Sequence, residues 1–223
     1  MKYIWFQSKQ HLKDPGSALT HFVAMLLTIF GIAPLLLKSI NSEHPNGVYP
    51  LAIFMISMFL LYAASTIYHS LNISKKINLR LRKLDHAMIF VLIAGSYTPI
   101  CSLVLKGSLG RNLLIFIWAV AIIGILFKMC FITCPHWLSS TMYILMGWAV
   151  VFAFKPLLSA LSKSAFLWLL IGGIIYTIGG IIYALKLPIF NQRHKYFGSH
   201  EIFHLFVMGG SLCHFILMYQ YIA

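Results

Sequence analysis

The chain has 223 residues, of which 60% are hydrophobic and only 9% charged, and its mean hydropathy is +0.86; soluble domains carry about 25% charged residues, so a soluble enzyme or binding module is excluded and a polytopic membrane protein is indicated. The formal net charge of +13 does not mark a nucleic-acid binder, because the lysines and arginines sit in short loops between apolar runs, where they orient a chain in a bilayer. The four cysteines, Cys101, Cys130, Cys134 and Cys213, form no Cys-x-x-Cys pair and read as small buried hydrophobes rather than as a disulfide framework or a thiolate metal site.

In chain order, a short polar lead (residues 1–19) carries Ile4, Trp5 and Phe6 among lysines, the pattern of a cytoplasmic, interfacial anchor. It has no small-residue cleavage site, so the apolar run that follows is expected to stay as a span. A helix needs ~20 mainly apolar residues to cross the hydrocarbon layer. Seven runs fit: 20–37, 48–70, 84–105, 113–132, 138–154, 165–185 and 199–222. They are helix-length rather than alternating, and lipid admits only helices or closed barrels. The connections are short, so the whole of 1–223 is expected to form one all-α, seven-transmembrane helix bundle. Tyr97-Thr98-Pro99 reads as a kink. The doubled glycines Gly172-Gly173, Gly179-Gly180 and Gly209-Gly210 read as places of close helix contact.

Basic residues set the expected orientation. The side of the N-terminus carries Lys2, Lys9, Lys13, Lys75, Lys76, Arg80, Arg82, Lys83, Lys128, Lys186, Arg193 and Lys195, and the opposite side only Lys38, Lys106, Arg111, Lys155 and Lys163. The N-terminus is therefore expected in the cytoplasm and, after seven crossings, the C-terminus outside. That is the reverse of a G-protein-coupled receptor.

Acidic residues are scarce: Asp14, Glu43, Asp85 and Glu201 are all there are. Ser65 and His69 fall near the cytoplasmic end of the second run. Asp85 and His86 fall in the first turn of the third, and His200, Glu201 and His204 in the first turns of the seventh. Three helices far apart in sequence thus bring polar groups to one membrane depth, and ionisable groups inside a bilayer mark function by default. Residues four apart share a helix face, so His200 and His204 can face one ion, and Ser65 lies one turn from His69. Zinc takes neutral imidazole, and catalytic sites use three protein ligands with a water in the fourth position; His69, His200 and His204 form such a set. Asp85 then serves as the catalytic group that orients or deprotonates the attacking water, with Ser65 holding Asp85 or a ligand in place.

Plainer readings stand beside these. Asp85 also suits a first-turn acid that favours the helix dipole and pairs with Arg82, and Ser65 suits a packing residue. Glu201 has a dipole role of its own, its side chain turned away from the two-histidine face. A His-Glu-x-x-His pattern further admits an intramembrane metalloprotease, with Glu201 as base and Asp85 as third ligand. His21 enters the first run at this depth, yet a lone histidine is usually a satisfied structural group. His86 points elsewhere around its helix. His214, ten residues past His204 and so ~15 Å deeper, is too far to share the ion. His11, His44, His136 and His194 read as loop residues.

Ser65-Thr66-Ile67-Tyr68-His69, then Lys83-Leu84-Asp85-His86 with Gly95-Ser96-Tyr97-Thr98-Pro99, then His200-Glu201-Ile202-Phe203-His204 with His214 resemble, in order and by span, the hemolysin III branch of the progestin and adipoQ receptor (PAQR) family. The resemblance covers nearly the whole chain. It implies a seven-helix bundle with the N-terminus inside and zinc at the cytoplasmic end on His69, His200 and His204, Asp85 and Ser65 lying nearby. Adiponectin receptors are linked to ceramide amide hydrolysis, the wider superfamily groups proposed membrane hydrolases, and hemolysin III members have been named for cell lysis or for membrane homeostasis. The short lead makes the chain similar to bacterial members, resident in the inner or plasma membrane, rather than to hormone receptors. Glu201 stands where adiponectin receptors have Gln.

The expected function is therefore a zinc-containing membrane hydrolase of lipid amide or ester bonds, ceramidase-like, with a role in membrane homeostasis. Its partners are membrane lipids, the substrate arriving laterally between helices. A non-enzymatic sensor or receptor with structural zinc is one alternative. A hemolysin-like membrane-disrupting protein is another, against which the few deep polar residues count.

Overall fold

A computed structural model describes residues 12–42, 45–105, 107–186 and 197–223. The expected anchor at Ile4, Trp5 and Phe6 lies outside the described residues, as do His11, His44 and His194. Seven helices are long and apolar enough to cross a membrane, and no strand occurs among the described residues. They are α1 (Pro15–Ile40), α2 (Val48–Ser70), α3 (Lys75–Val104), α4 (Gly107–Cys130), α5 (His136–Ala160), α6 (Lys163–Leu185) and α7 (Ser199–Ile222). The chain is an all-α, multi-pass membrane protein. Leucine, isoleucine and phenylalanine side chains such as Phe30, Phe152 and Leu145 stand outward from the bundle, as a lipid solvent requires.

The centre of the bundle is unequal. In the most apolar stretch of each helix, 56% of residues are buried in α3, 50% in α2 and 44% in α7, against 22–28% in the other four. Those three central helices are the ones that carry His69, Asp85, His200 and His204. Helix α2 packs between α1 and α3, α6 lies along α7, and α1 meets α7, so the first and last spans are neighbours. Tyr62, Phe54, Phe90, Ile117 and Leu217 fill the core.

Several boundaries differ from those the sequence suggests, the starts of α1 and α4 among them, and two have a visible cause. Helix α3 begins at Lys75, nine residues before its apolar run, because the Ser74 side chain accepts the Ile77 N–H at 3.3 Å and caps the helix early. Hydropathy registers only the part of a helix in apolar surroundings and misses a charged extension. Helix α5 runs on past residue 154 to Ala160, through a tighter-wound stretch at Ala149–Ala153. The phenol of Tyr97 serves that stretch: it donates to the Gly147 carbonyl at 2.6 Å and accepts the Val150 N–H at 2.7 Å. Backbone groups displaced from regular helix in an apolar layer need such a partner. Tyr97 thus acts on a neighbouring helix. Its own helix changes winding just after Pro99, where the Leu105 N–H reaches back five residues to the Ile100 carbonyl at 3.0 Å.

The doubled glycines lie along α6 and α7. A Cβ at Gly172 would meet the His214 ring, one at Gly179 would meet Phe206, and one at Gly210 would meet Tyr176. One glycine of each pair therefore admits an aromatic side chain from the facing helix. Gly173, by contrast, has open space beside it.

Candidate metal centre

The chain entering α1 is fastened to the end of α2: the Asp14 N–H donates to the His69 carbonyl at 2.9 Å, and the Lys13 N–H to that of Ser70 at 3.3 Å. This brings the Asp14 carboxylate to the His69 ring, whose Nδ1 donates to Asp14 Oδ2 at 2.9 Å. The Nε2 of His69 is left facing His200. His204 is oriented in the same manner from α1. The Thr20 hydroxyl donates to the Gly16 and Ser17 carbonyls at 3.1 and 3.0 Å, so its oxygen accepts from His204 Nδ1 at 3.1 Å. That assignment leaves Nε2 bare.

His69, His200 and His204 each offer one ring nitrogen, and the three lie within 4.8 Å of one another. His69 Nε2 and His200 Nε2 are 3.3 Å apart. Two imidazole nitrogens at the ~2.0–2.1 Å bond length of tetrahedral zinc stand about 3.4 Å apart, so the donor set fits. His69 and His204 are buried, at 3% and 2% exposure. Imidazoles converging in a buried space, two of the three held from behind, make a group that could hold a metal ion.

The other site candidates fall as follows. Asp85 is buried and interacts electrostatically with His21, His69 and His200. It stands outside the three-histidine set. Because α3 begins at Lys75, Asp85 lies ten residues in, ~15 Å along the helix; it is not the first-turn acid the apolar run suggests. Its ion-pair contact is with His86 Nδ1 at 3.6 Å rather than with Arg82. His86 also faces the Arg82 carbonyl at 3.0 Å and the Tyr183 hydroxyl at 3.3 Å, so it does not turn away from Asp85. The Ser65 hydroxyl is buried and has no hydrogen-bond partner among the described residues; it holds neither Asp85 nor a histidine here.

Glu201 faces away from the histidines. It accepts the Gly198 N–H at 2.8 Å and the Ser17 hydroxyl, closing the start of α7 and tying it to α1. A metalloprotease arrangement with Glu201 as base and His69 unused therefore has no counterpart in this geometry. His21 is not a satisfied structural group: it is buried, stacked on His204 with ring centroids 3.6 Å apart, and both its nitrogens lack partners among the described residues.

Two residues that sequence reasoning passed over, Asp14 and Thr20, orient the set. Asp14 had a signal, being one of four acids and placed directly before a span; Thr20 had none. The hydrogen bond from His69 and the neighbouring Lys13 ammonium hold the Asp14 carboxyl below its ordinary value of 3.8, against the opposing effect of partial burial. Asp14 is thus ionised at neutral pH and accepts from the His69 Nδ1–H.

An apolar cavity of about 170 Å³ is lined by Tyr183 and Phe203, whose rings lie 6.0 and 6.2 Å from that of His200. Leu61, Trp148, Leu157 and His214 line it too. His214, buried and with both nitrogens unpartnered among the described residues, belongs to this cavity and not to the metal group. Lys128, counted above among loop charges, is buried at 1% exposure; its ammonium donates to Ser139 Oγ and to Cys134 Sγ, the latter at 3.2 Å.

A family profile described as haemolysin-III related matches residues 9–215. The chain is 38% identical over 209 residues to a "Hemolysin-3 homolog" of Bacillus subtilis (strain 168), covering 94% of each chain. It is 37% identical over 211 residues to "Hemolysin-3" of Bacillus cereus, covering 94% of this chain and 92% of that one. A more distant relative is the human "Monocyte to macrophage differentiation factor", 26% identical over 177 residues, 76% of this chain and 69% of the relative.

Proposed function

The chain belongs to the haemolysin-III-related family, and from that premise we propose that it is a zinc-dependent membrane hydrolase of lipid amide or ester bonds, with a role in membrane homeostasis. One observation carries the reading: His69, His200 and His204 converge on a common point with two of the three rings oriented from behind by Asp14 and Thr20. Zinc, when bound, supplies Lewis acidity to a carbonyl and makes a water nucleophilic near neutral pH. The chain's own groups do the rest. Asp85, buried beside the histidines, takes the proton of the attacking water and passes it to the leaving group. The apolar cavity lined by Tyr183 and Phe203, the ring neighbours of His200, takes the acyl chain, which keeps bulk water from the scissile bond. His69 and His204 hold their tautomers throughout.

The test is metal content by elemental analysis, together with turnover of lipid amides and esters by purified protein. Native chain is expected to carry one zinc, lost in His69→Ala, His200→Ala and His204→Ala; Asp85→Ala is expected to keep zinc and lose turnover. Zinc-free native protein, or unchanged turnover in His200→Ala, rejects the reading.

A second reading, a non-enzymatic sensor with zinc as a clasp, draws on the same geometry, because the histidines join α2 to α7. A closed four-ligand coordination sphere with no exchangeable water, measured by X-ray absorption, would favour it.

A further inference from the structure

Beside the histidine group, at the same end of the bundle, lies a second pocket with different chemistry. Its volume is about 360 Å³, and Arg82 of α3, Cys134 and His136 at the start of α5, and Lys186 at the end of α6 line it. At ~30 Å³ per water it would hold on the order of ten waters, room for a phosphate group and the alcohol attached to it. Neither Arg82 nor Lys186 forms an ion pair with a carboxylate among the described residues. The acids among the described residues are engaged elsewhere: Asp14 with His69, Asp85 with His86, and Glu201 with Ser17 and Gly198.

The positive field at this pocket has further sources. Arg82, Lys186 and Lys128 all act electrostatically on His136. The buried Lys128 ammonium stands directly behind the Cys134 wall, its hydrogen-bond partners among the described residues a thiol and a hydroxyl. His136 opens α5, whose N-terminal N–H groups and dipole favour an anion. Its Nδ1 is buried without a partner among the described residues. Lys186 ends α6 in the left-handed conformation, at φ 50°, where glycine is the unstrained choice. Like charges held around one concavity with no carboxylate paired to them among the described residues repel one another, so an anion bound between them relieves that repulsion.

We propose that this pocket binds a phosphate group, held between Arg82, His136 and Lys186. The chemistry is that of a tetrahedral oxyanion taking hydrogen bonds from a guanidinium, an imidazole and an ammonium. A lipid headgroup and a free phosphate share it. The site is distinct from the three histidines and stands whether or not they hold metal. Tyr183 separates the two, its ring 4.7 Å from that of His136 and 6.0 Å from that of His200.

Cys134 reports occupancy of the pocket, and the exposed Cys130 of α4 serves as internal reference. Native protein in neutral detergent at high salt, which screens diffuse surface attraction, is treated with N-ethylmaleimide, and labelling at each cysteine is followed by mass spectrometry. The probes are dihexanoyl phosphatidic acid, inorganic phosphate and phosphate-free dihexanoylglycerol. Phosphatidic acid is expected to protect Cys134 saturably while Cys130 labels at its usual rate. Arg82→Gln and Lys186→Gln should each raise the half-protecting concentration about ten-fold, as loss of one charge-assisted hydrogen bond predicts. Protection by inorganic phosphate as well identifies a free anion as sufficient; protection by the lipid alone identifies a headgroup. If neither phosphate probe protects the native chain, or dihexanoylglycerol protects equally, the proposal is overturned, and this holds whether or not either variant folds.

Discussion

His69 takes its orientation from a residue just outside the apolar spans. The Asp14 carboxylate accepts a hydrogen bond from Nδ1–H, fixing the tautomer that presents Nε2, and partners of this kind typically account for 10–100-fold in metal affinity. Asp14→Ala should therefore weaken zinc binding by about that factor in competition with a chromophoric chelator, while leaving the fold intact; native affinity in the variant would remove Asp14 from the site. Ser65 presents the opposite case. A buried hydroxyl without a partner costs ~1–3 kcal/mol, so Ser65→Ala should leave thermal stability unchanged or raised. If turnover falls in that stable variant, Ser65 works on a water or substrate group; if turnover holds, it is a packing residue.

Between helices, glycines and a single phenol set the spacing. At Gly95 an added Cβ would run into the Ser57 side chain of α2, and α2 and α3 are the two most buried spans. Gly95→Ala should cost ~1–3 kcal/mol through overpacking. Gly147 of α5 has nothing within 4 Å of the same position, so Gly147→Ala should be neutral or stabilising by up to ~1 kcal/mol. Thermal unfolding of the two variants in one detergent compares them directly. Tyr97→Phe probes the change of winding in α5. It removes the acceptor of the Val150 N–H and should destabilise by about 1 kcal/mol, the scale of a polar contact inside a membrane bundle. An unchanged unfolding midpoint would mean that water or regular helix takes over that amide.

On the scale of the whole bundle, the histidine group links α2 to α7, spans separated by most of the chain. A ligand that binds only the folded state stabilises it by ~2.7 kcal/mol at a hundred-fold excess over its Kd. Removal of zinc by chelation should lower the unfolding temperature, and re-addition should restore it; indifference to chelation would count against a metal clasp of any kind. The basic residues bear on orientation. Lys128 drops out of the loop charges, since it is buried, yet Lys75, Lys76, Arg80, Arg82 and Lys83 still gather at the N-terminal end and predict that this end faces the cytoplasm. Cys130 lies at the same end and is exposed. A membrane-impermeant maleimide should therefore label it in permeabilised cells and not in intact ones.

The amino-acid sequence by itself determined the membrane class, the seven spans, and the three histidines at one depth. Apolar runs of bilayer length admit no other fold, and a polar group at a span's end keeps its depth however the helices are arranged around one another. Helix rotation and partners across the bundle were decided by tertiary structure alone. Asp14 and Thr20 act on rings 55 and 184 residues away, and no local pattern encodes such a pairing. Asp85 moved from a first turn to the interior of α3 because a serine cap lengthened the helix through charged residues that hydropathy does not register.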